Sequence, residues 1–318
     1  MTFLSQKPRM QEADLPPPPL LARGTELLVE IQEASPSLND MQETGPCFYC
    51  GVEASHCPSC PTPSCPVHLP IHRPAASCLP FTVTCLEGKG RVAVASRALR
   101  PGECVLEDTP VAVVPEWKAG RCAVCFQPCS SSCASCPLRL CCGEEEHQEE
   151  CQFLRKWSGE PGPRLDLALA VLRLARGQRE PEVEALMDHL EERRGQGSWS
   201  DLLTGVVRPL ATCGVGQERL ERLLGVFLTN CVAAGPGTVG LFPVFSLLSH
   251  SCLANTRRVS EGGRVRVVAC RPVEAGEELT TSYKSPELGS VARRGHFPVT
   301  WFFDCSCPRS AGHLASYN

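Results

Sequence analysis

The sequence predicts an α+β protein in which a β-rich domain is divided by a cysteine-rich segment and a helical segment. Alternating apolar residues in RVAVAS and CVLEDTPVAVV predict early strands, and RVRVVACRPV and ELTTSY predict late strands. Between them, residues 164–232 repeat apolar residues at steps of three and four, which is typical of helices. Because early and late strands belong to one domain, we expect any functional site to combine distant segments.

The composition is that of a soluble globular protein. The 318 residues are 42% apolar and 21% charged, and the formal charge is -4. A slightly acidic chain has no general attraction for a phosphate backbone, so we expect no direct binding of nucleic acid. No stretch reaches about eighteen apolar residues, and residues 1–19 lack the apolar core of a signal peptide. We therefore expect no membrane association and a location in the nucleus, the cytoplasm or both.

Cysteine is over-represented, at 22 residues. In a reducing compartment thiols stay reduced and serve as soft metal ligands, which favours zinc over disulfide bonds. The alternative is a secreted disulfide scaffold, but the CxxC pairs alternate with histidine and no export signal precedes them. We therefore expect zinc as a bound cofactor.

The N-terminal part combines an expected flexible arm, residues 1–45 with a PPPP run, and a first cysteine cluster. Eight ligand-type residues suit two tetrahedral zinc sites, because a two-residue gap lets one turn offer both thiolates to one ion. Buried or partly disulfide-linked cysteines are the alternative interpretation. The candidate ligands are Cys47, Cys50, Cys57, Cys60, Cys65, His68, His72 and Cys78.

A second cysteine cluster resembles a MYND zinc finger in its order CxxC, CxxC, C and HxxxC. The resemblance implies that alternate pairs share an ion. The implied ligands are Cys133, Cys136, His147 and Cys151 for one site, and Cys122, Cys125 and Cys141 for the other. The cysteine expected after Cys141 is missing, with Glu145 at that step, and Cys129 or Cys142 could substitute. The first cluster is similar to a MYND finger too, and the resemblance implies protein partners for such fingers.

Three further segments are similar to SET-domain methyltransferases. GKGRVAVASRALRPGECVLEDTP resembles the GxG turn, strand and RPGE turn of that family. GLFPVFSLLSHSCLANT resembles LLNHSCxPN, with Ser249 in place of asparagine and Ala254 in place of proline. GEELTTSY and WFFDCSCPR resemble the strand with the catalytic tyrosine and the CxC that opens the post-SET zinc site. With the double finger, the chain resembles arthropod-type members of the SET and MYND family.

The resemblance implies a β-rich SET domain split by a MYND-like finger and a helical insertion, with an additional N-terminal zinc-binding segment. The C-terminal tail is shorter than in the relatives, as expected for a truncated variant. The implied segments are the arm (1–45), the N-terminal finger (46–79), the first part of the SET domain (80–117), a degenerate finger (118–152), the helical insertion (160–232), the SET core (233–285), the post-SET segment (286–309) and a tail (310–318).

The same resemblance implies a binding site for S-adenosylmethionine and a catalytic residue, Tyr283. The implied cofactor contacts are the backbone of Gly88, Lys89 and Gly90, then Asn230, Ser246, Ser249 and His250, with Phe303 stacked on the adenine. Serine has a shorter arm than the asparagine of the family and loses a hydrogen-bonding group, so we expect weaker cofactor binding. Cys252, Cys305 and Cys307 are the implied post-SET zinc ligands, and Ser310 stands near the fourth position, with His313 as the nearest replacement.

These features predict a protein-lysine N-methyltransferase that acts on a histone or another protein. Methyl transfer from a sulfonium to an amine is an in-line substitution that depends on positioning and on an uncharged lysine. A cysteine nucleophile paired with His250 is disfavoured, because no third group orients the histidine. The rival hypothesis is a zinc-dependent interaction protein without turnover, which Ser249, Ser310 and the missing finger ligand favour.

Overall fold

The structure of the chain is a computed structural model that describes residues 44–47, 53–55, 79–157, 162–177, 179–211, 213–261, 263–285, 290–307 and 309. The expected arm up to residue 43 lies outside these residues, and so do Ser310 and His313. Most of the first cysteine cluster also lies outside them, namely Cys50, Cys57, Cys60, Cys65, His68, His72 and Cys78.

Twelve strands form small sheets rather than one continuous sheet among the described residues. Their bounds are β1 Thr44–Pro46, β2 Glu53–Ser55, β3 Phe81–Leu86, β4 Gly90–Ala95, β5 Cys104–Asp108, β6 Ala112–Pro115, β7 Cys231–Gly235, β8 Thr238–Leu241, β9 Ser249–His250, β10 Thr256–Glu261, β11 Arg264–Ala269 and β12 Thr280–Thr281. The sheets are the hairpins β1-β2 and β3-β4, the three-stranded sheets β10-β11-β5 and β6-β8-β7, and the pair β12-β9. Strands before and after the cysteine-rich segment and the helices therefore share sheets, β5 with β11 and β6 with β8.

Seven α-helices fall into three regions of the described chain. Their bounds are α1 Gln148–Leu154, α2 Pro163–Arg176, α3 Glu180–Glu184, α4 Leu190–Arg194, α5 Gly197–Leu202, α6 Gln217–Asn230 and α7 Ser290–Thr300. Short 3-10 turns cover Trp117–Ala119, Glu144–His147, Arg208–Leu210 and Phe245–Leu247, and a π-helical turn covers Leu203–Val207. The predicted mixture of helices and sheets is confirmed. Within the described ranges no helix has the length and apolar character needed to cross a membrane.

The hairpin β3-β4 ends in a glycine turn that opens the SET-like segment. Gly88 and Gly90 have φ values of 74° and 73°, in the left-handed region that side chains rarely adopt. Lys89 N–H closes the turn on the carbonyl of Leu86 over 3.1 Å. The GKG sequence therefore follows from the backbone conformation that this turn requires.

Strands β9 and β12 bring two distant motifs side by side. They pair in parallel, with Thr280 opposite Ser249 and Thr281 opposite His250. A parallel pair needs a crossover connection, which the hairpin β10-β11 provides. Tyr283 follows β12 by two residues and so lies next to His250.

Two hydrophobic clusters hold the chain together. One lies between the strands and includes Phe81, Leu106, Phe242 and Leu279, all at most 2% exposed. The other joins the second cysteine cluster to the helices between residues 163 and 230, where the apolar faces of α2 and α6 meet. Burial of each large apolar side chain contributes about 1.5–3 kcal/mol to the free energy of unfolding. Because the helices and the second cysteine cluster share this core, we expect them to fold together.

Arg173 of α2 connects the cysteine-rich segment to the sheets. Its guanidinium pairs with Glu150 of α1 over 2.6 Å and donates to the carbonyls of Ala123, at 2.9 Å, and Val113 in β6. A planar group with several N–H donors suits three partners on different elements. The acidic run 143–150 is therefore partly held against α2, as Arg176 also pairs with Glu149.

Candidate active site and metal centres

Tyr283 and His250 are in direct contact. The backbone N–H of Tyr283 donates to Nδ1 of His250 over 3.1 Å, and the ring centroids are 5.2 Å apart. The parallel pairing of β9 with β12 fixes both backbones, so this contact follows from the fold. The structure therefore brings together the expected catalytic tyrosine and the expected cofactor residue.

The hydroxyl of Tyr283 is held as a hydrogen-bond donor. It donates to the carbonyl oxygen of Leu248 over 2.9 Å. Burial raises the pKa of this phenol to about 12, and the negative charge of Glu278 adds to the increase. The phenol therefore stays neutral near pH 7. Its oxygen keeps lone pairs that can accept a hydrogen bond from another group.

Aromatic rings surround these two residues. His250 contacts Phe297 at 4.4 Å and Phe303 at 6.0 Å between ring centroids, while Trp301 lies 5.2 Å from Tyr283. Phe297 is fully buried and stacks against Phe303. These rings come from α7 and the segment that follows it, so the post-SET part of the chain forms one wall of the site. A largely apolar wall disfavours charged groups beside it.

The expected cofactor-binding turn has open backbone surface. A side chain added at Gly88 or Gly90 would meet no atom within 4 Å, which leaves room for a ligand to approach the main chain. The side chain of Lys89 pairs with Glu278 over 2.5 Å. The ammonium of Lys89 is thus paired within the protein, which leaves the main chain of Lys89 for the expected contact with a cofactor.

The other expected cofactor residues have partners within the protein. The amide of Asn230 donates to the carbonyls of Met187 and Val226, both over 2.8 Å, at the C-terminal end of α6. The hydroxyl of Ser246 donates to the carbonyl of Phe242 over 2.8 Å. Ser249 lies in β9 next to His250. Asn230 thus uses its amide protons for one carbonyl of its own helix and for that of Met187 outside the helix, and Ser246 uses its proton within its turn.

Two buried polar residues that the sequence analysis did not select hold the HSC segment in place. Asn255 is 1% exposed; its amide donates to Glu277 and to the carbonyl of Glu278, and its oxygen accepts from Thr280 N–H over 2.8 Å. Asp108 is 2% exposed and accepts the N–H groups of the 3-10 turn before β9. An acidic residue inside the apolar CVLED strand was the available sequence signal for Asp108.

The first group of four potential metal ligands lies in the second cysteine cluster. Ligand atoms of Cys133, Cys136, His147 and Cys151 all lie within 4.8 Å of one another. The Sγ atoms of Cys133 and Cys151 are 3.8 Å apart, and Sγ of Cys136 is 3.5 Å from Nε2 of His147. Tetrahedral zinc with bonds of about 2.3 Å to sulfur separates its sulfur ligands by about 3.8 Å. The four residues expected to share an ion therefore have the spacing that zinc needs.

A second group of four potential ligands lies in the same cysteine cluster and shows which cysteine can replace the missing finger ligand. Its members are Cys122, Cys125, Cys141 and Cys142, again within 4.8 Å of one another. Sγ distances of 3.5 Å and 3.9 Å join Cys125 to Cys141 and Cys122 to Cys142. Cys129 is not in this group and donates to the carbonyl of Ser131. Of the two substitutes considered for the missing ligand, the geometry selects Cys142.

The thiol of Cys122 has the electrostatics of a metal ligand. Burial alone would raise its pKa, but backbone N–H groups directed at the sulfur, including those of Cys141 and Val124 at 3.5 Å, lower the pKa to about 6. A thiolate is the form that binds zinc. The loops of this finger are therefore shaped around a negatively charged sulfur.

The post-SET residues form a third, smaller group. Cys252, Cys305 and a ring nitrogen of His250 lie within 4.8 Å of one another, and the two Sγ atoms are 3.9 Å apart. Cys307 is not in this group. Nδ1 of His250 accepts the Tyr283 N–H, so the proton of the neutral ring lies on Nε2, which donates to Sγ of Cys252 over 3.3 Å. The thiol pair fits zinc, and His250 supports it as a donor.

Only one expected ligand of the first cysteine cluster lies in the described part of the chain. Cys47 follows β1, is 3% exposed and packs among the strand core. The hairpin β1-β2 beside it pairs Pro46 with Glu53. The expected double site at this end of the protein stays a prediction.

Residues 90–284 match the family model described as SET domain. The SET domain-containing protein SmydA-8, isoform A, of Drosophila melanogaster is 26% identical over 261 residues, which cover 72% of this chain and 55% of that protein. The histone-lysine N-methyltransferase ASHR1 of Arabidopsis thaliana is 26% identical over 259 residues, 71% of this chain and 54% of that protein. The histone-lysine N-methyltransferase SMYD3 of Mus musculus is 42% identical over 71 residues, 22% of this chain and 17% of that protein.

The chain spans about half the length of SmydA-8 and ASHR1. The similarity to SmydA-8 and SMYD3 confirms the resemblance to the SET and MYND family that the motifs indicated. The matched region begins at Gly90, the last residue of the glycine turn, and contains the second cysteine cluster, the helices between residues 148 and 230 and Tyr283. Because this match covers more than half of the sequence, the chain belongs to the SET-domain family.

Proposed function

We propose that the chain transfers a methyl group from S-adenosylmethionine to a lysine side chain of a protein. The observation that carries this proposal is the arrangement of the Tyr283 hydroxyl, the Leu248 carbonyl and the rings around His250 at one point. The names of ASHR1 and SMYD3 describe lysine methyltransferases, and those names support the same reaction class. The substrate is a histone or another lysine-bearing protein.

The role of Tyr283 is to orient the substrate amine. When bound, S-adenosylmethionine supplies an electrophilic methyl group on a sulfonium. The phenol donates a hydrogen bond to the carbonyl oxygen of Leu248 and keeps its lone pairs, so its oxygen can accept a hydrogen bond from one N–H of the amine. The second lone pair of the Leu248 carbonyl can accept another. Two fixed acceptors direct the nitrogen lone pair along the line of attack, which is the main requirement of an in-line substitution.

The aromatic wall favours the uncharged form of the substrate lysine. Phe297, Trp301 and Phe303 pack around His250 and Tyr283 and limit contact with water. A low-dielectric environment disfavours an ammonium group and lowers its pKa. A neutral Tyr283 contributes no negative charge that would hold the lysine in its protonated form.

The cofactor site would combine backbone and aromatic contacts. The open glycine turn of Gly88 and Gly90, the backbone of Ser249 and His250 in β9 and the ring of Phe303 are the proposed contacts. The open main-chain surface fits a ligand of this kind. Asn230, whose amide is already used, would contribute through its oxygen. The short side chain of Ser249 makes weak binding the expected outcome.

Zinc would act as a structural element at three places among the described residues. Two ions would hold the finger together, because the four-ligand groups there can complete tetrahedral coordination. A third would join Cys252 of the HSC segment to Cys305 beyond α7, with Cys307 as the expected further ligand. The fingers are also the proposed surface for protein partners. We place the protein in the nucleus, the cytoplasm or both.

A decisive experiment combines binding with turnover on the zinc-loaded full chain. Calorimetry would measure the binding of S-adenosylmethionine, and tritiated cofactor would then label proteins in nuclear and cytosolic extracts. Mass spectrometry of a labelled band should find methyl-lysine. Binding without any transfer would favour the second candidate, a zinc-dependent interaction protein, which Ser249 in place of asparagine supports. No detectable binding of S-adenosylmethionine would contradict the proposal that the chain is a methyltransferase.

A further inference from the structure

Arg193 of α4 is a buried arginine that joins the helical insertion to the end of the post-SET helix α7. Only 5% of the surface of Arg193 is exposed. One terminal nitrogen donates to the hydroxyl of Thr229 over 2.8 Å and to the carbonyl of Thr300, the last residue of α7, over 3.2 Å. Nε donates to the carbonyl of Asp188 over 3.0 Å. One side chain therefore ties three separate parts of the chain.

The partners of Arg193 are neutral oxygen atoms and aromatic faces. No salt bridge of Arg193 occurs within the described ranges, although the side chain is almost fully buried. Its guanidinium lies 5.2 Å from the ring of Phe302 and 6.0 Å from that of Trp199. Burying a cation with no carboxylate at ion-pair distance is costly, and the charges of Asp188 and Glu192 offset only part of the burial that lowers the pKa of Arg193. The value of Arg193 to the protein therefore lies in the contacts that it fixes.

The contacts of Arg193 continue along residues 299–303, which comprise the last two residues of α7 and the three that follow it and which we term the post-helix segment. Gln196 of the insertion donates to the carbonyl of Val299 over 3.3 Å, and the indole N–H of Trp301 donates to the carbonyl of Thr229 over 2.9 Å. Phe302 has a φ of 55°, and its ring lies 5.0 Å from that of His189. The post-helix segment is therefore attached to the insertion at nearly every residue.

The strained backbone at Phe302 separates two faces of the post-helix segment. Phe302 faces Arg193 and His189 of the insertion. Trp301 and Phe303, on either side of it, face the candidate active site, where they contact Tyr283 and His250. A left-handed conformation is unfavourable for a phenylalanine and persists only when neighbours enforce it. Arg193 is the neighbour that holds both Thr300 and Phe302.

We infer that Arg193 is a positioning residue for methyl transfer: by holding the post-helix segment, it sets the places of Trp301 and Phe303 in the active site. This inference rests on the proposed function. Without Arg193 the post-helix segment would populate positions in which Phe303 no longer covers the cofactor site. The apparent affinity for the cofactor falls in proportion to the population of the competent state.

The test uses Arg193→Gln and Arg193→Lys in the zinc-loaded full chain, with Arg194→Gln as the matched control. Arg194 is the next residue, but it is exposed and pairs with Glu221. Calorimetry would measure the affinity for S-adenosylhomocysteine. We expect both Arg193 variants to bind at least ~10-fold more weakly, because a lysine cannot reach two partners and stack at once. KM for the cofactor should rise more than kcat falls.

Hydrogen exchange of the cofactor-free protein supplies a readout independent of catalysis. The Arg193 variants should exchange faster in the peptides that contain residues 295–307 and residue 283, while Arg194→Gln matches the wild type. If the proposed function fails because the wild type does not bind the cofactor, this exchange pattern still appears and the cofactor binds to none of the variants. If the wild type binds cofactor and folded Arg193→Gln shows the same affinity and exchange, the inference is wrong.

Thr229→Val covers the case in which the Arg193 variants do not fold. This substitution preserves the shape of Thr229 and removes only the hydroxyl that accepts from Arg193. We expect a ~3-fold to 10-fold loss of cofactor affinity from one lost hydrogen bond. Unchanged affinity and unchanged exchange at residues 295–307 would overturn the proposed role of Arg193.

Discussion

His250 accepts a hydrogen bond from the backbone of Tyr283 on one side of its ring and donates to the sulfur of Cys252 on the other. A single imidazole therefore links the candidate catalytic residue to a candidate zinc ligand. Because the backbone N–H occupies Nδ1, the neutral ring has only Nε2 to offer, and that atom carries the proton. The position of Tyr283 and the electron density on Cys252 thus depend on the same side chain.

Two substitutions at His250 should separate these functions. Asparagine places an acceptor where Nδ1 lies, and glutamine places a donor near Nε2. We expect His250→Asn to keep the Tyr283 contact but to weaken zinc binding at Cys252 by ~10-fold, the size of a lost outer contact to a ligand. His250→Gln should retain zinc and lose most of the methyl transfer. Zinc release to a colorimetric chelator and single-turnover methyl transfer measure the two effects. Loss of transfer in His250→Asn together with loss of zinc in His250→Gln would contradict the proposed tautomer.

Tyr283→Phe removes one oxygen and preserves the ring that packs against Trp301. We expect kcat to fall by ~100-fold or more, the usual effect of removing an oriented hydrogen-bonding group from a reacting centre. The affinity for S-adenosylhomocysteine should stay within ~2-fold. Loss of the bond to Leu248 should cost about 1 kcal/mol of unfolding free energy. Full transfer by this variant would show that the hydroxyl has no part in the reaction.

The finger offers a matched pair of cysteines for testing the substitute ligand. Cys142→Ser should remove one zinc equivalent, because Cys142 belongs to the four-thiol group with Cys122. Cys129→Ser is the control, since that thiol points to the carbonyl of Ser131 instead. Native mass spectrometry after exhaustive dialysis counts the bound ions. A loss of zinc in the Cys129 variant, with none in the Cys142 variant, would reverse the assignment.

The sequence placed Tyr283 and His250 in one site only through their resemblance to SET-domain motifs, because the two residues lie 33 positions apart and meet through the pairing of β9 with β12. For the finger, local geometry predicted that Cys133 and Cys136 lie together, because a CxxC turn brings its own thiols together. The resemblance to a MYND finger added His147 and Cys151 to the same group. The choice between Cys129 and Cys142 was left open by the sequence. It depends on how the 141–142 backbone folds over Cys122, which is a tertiary feature.

Residues that act across elements gave no usable signal. Arg193 stands in LEERRG, where it resembles an ordinary surface charge of a short helix, yet packing of α6 and α7 buries it. Asn230 stays an expected cofactor residue, and its position at the end of α6 already directs its amide to the carbonyls of Val226 and Met187. Competition between local capping and ligand binding is decided by three-dimensional packing, which periodicity does not describe.

Asp108 should make the free energy of unfolding depend on pH, and an asparagine at this position should remove that dependence. Burial raises the pKa of Asp108 to about 6 in the folded protein; hydrogen bonds from Phe245 and Val244 and the charge of Arg179 partly oppose this increase, while Glu182 adds to it. In the unfolded chain an aspartate titrates near about 3.9. The folded state therefore binds the proton more tightly. The contribution of Asp108 is most favourable below about pH 4, decreases through the window from 4 to 6, and is constant above it.

Asp108→Asn removes this dependence while an amide oxygen can still accept the N–H groups of Val244 and Phe245. A shift of about two pKa units corresponds to about 2–3 kcal/mol. The unfolding free energy of the variant minus that of the wild type should increase by an amount of this order between pH 4 and pH 7. Urea denaturation at several pH values measures this difference, in which effects of acid on the cysteine clusters cancel because both proteins share them. A difference that is flat across the window, or that changes in the opposite direction, would mean that the Asp108 carboxyl has an ordinary pKa in the folded protein.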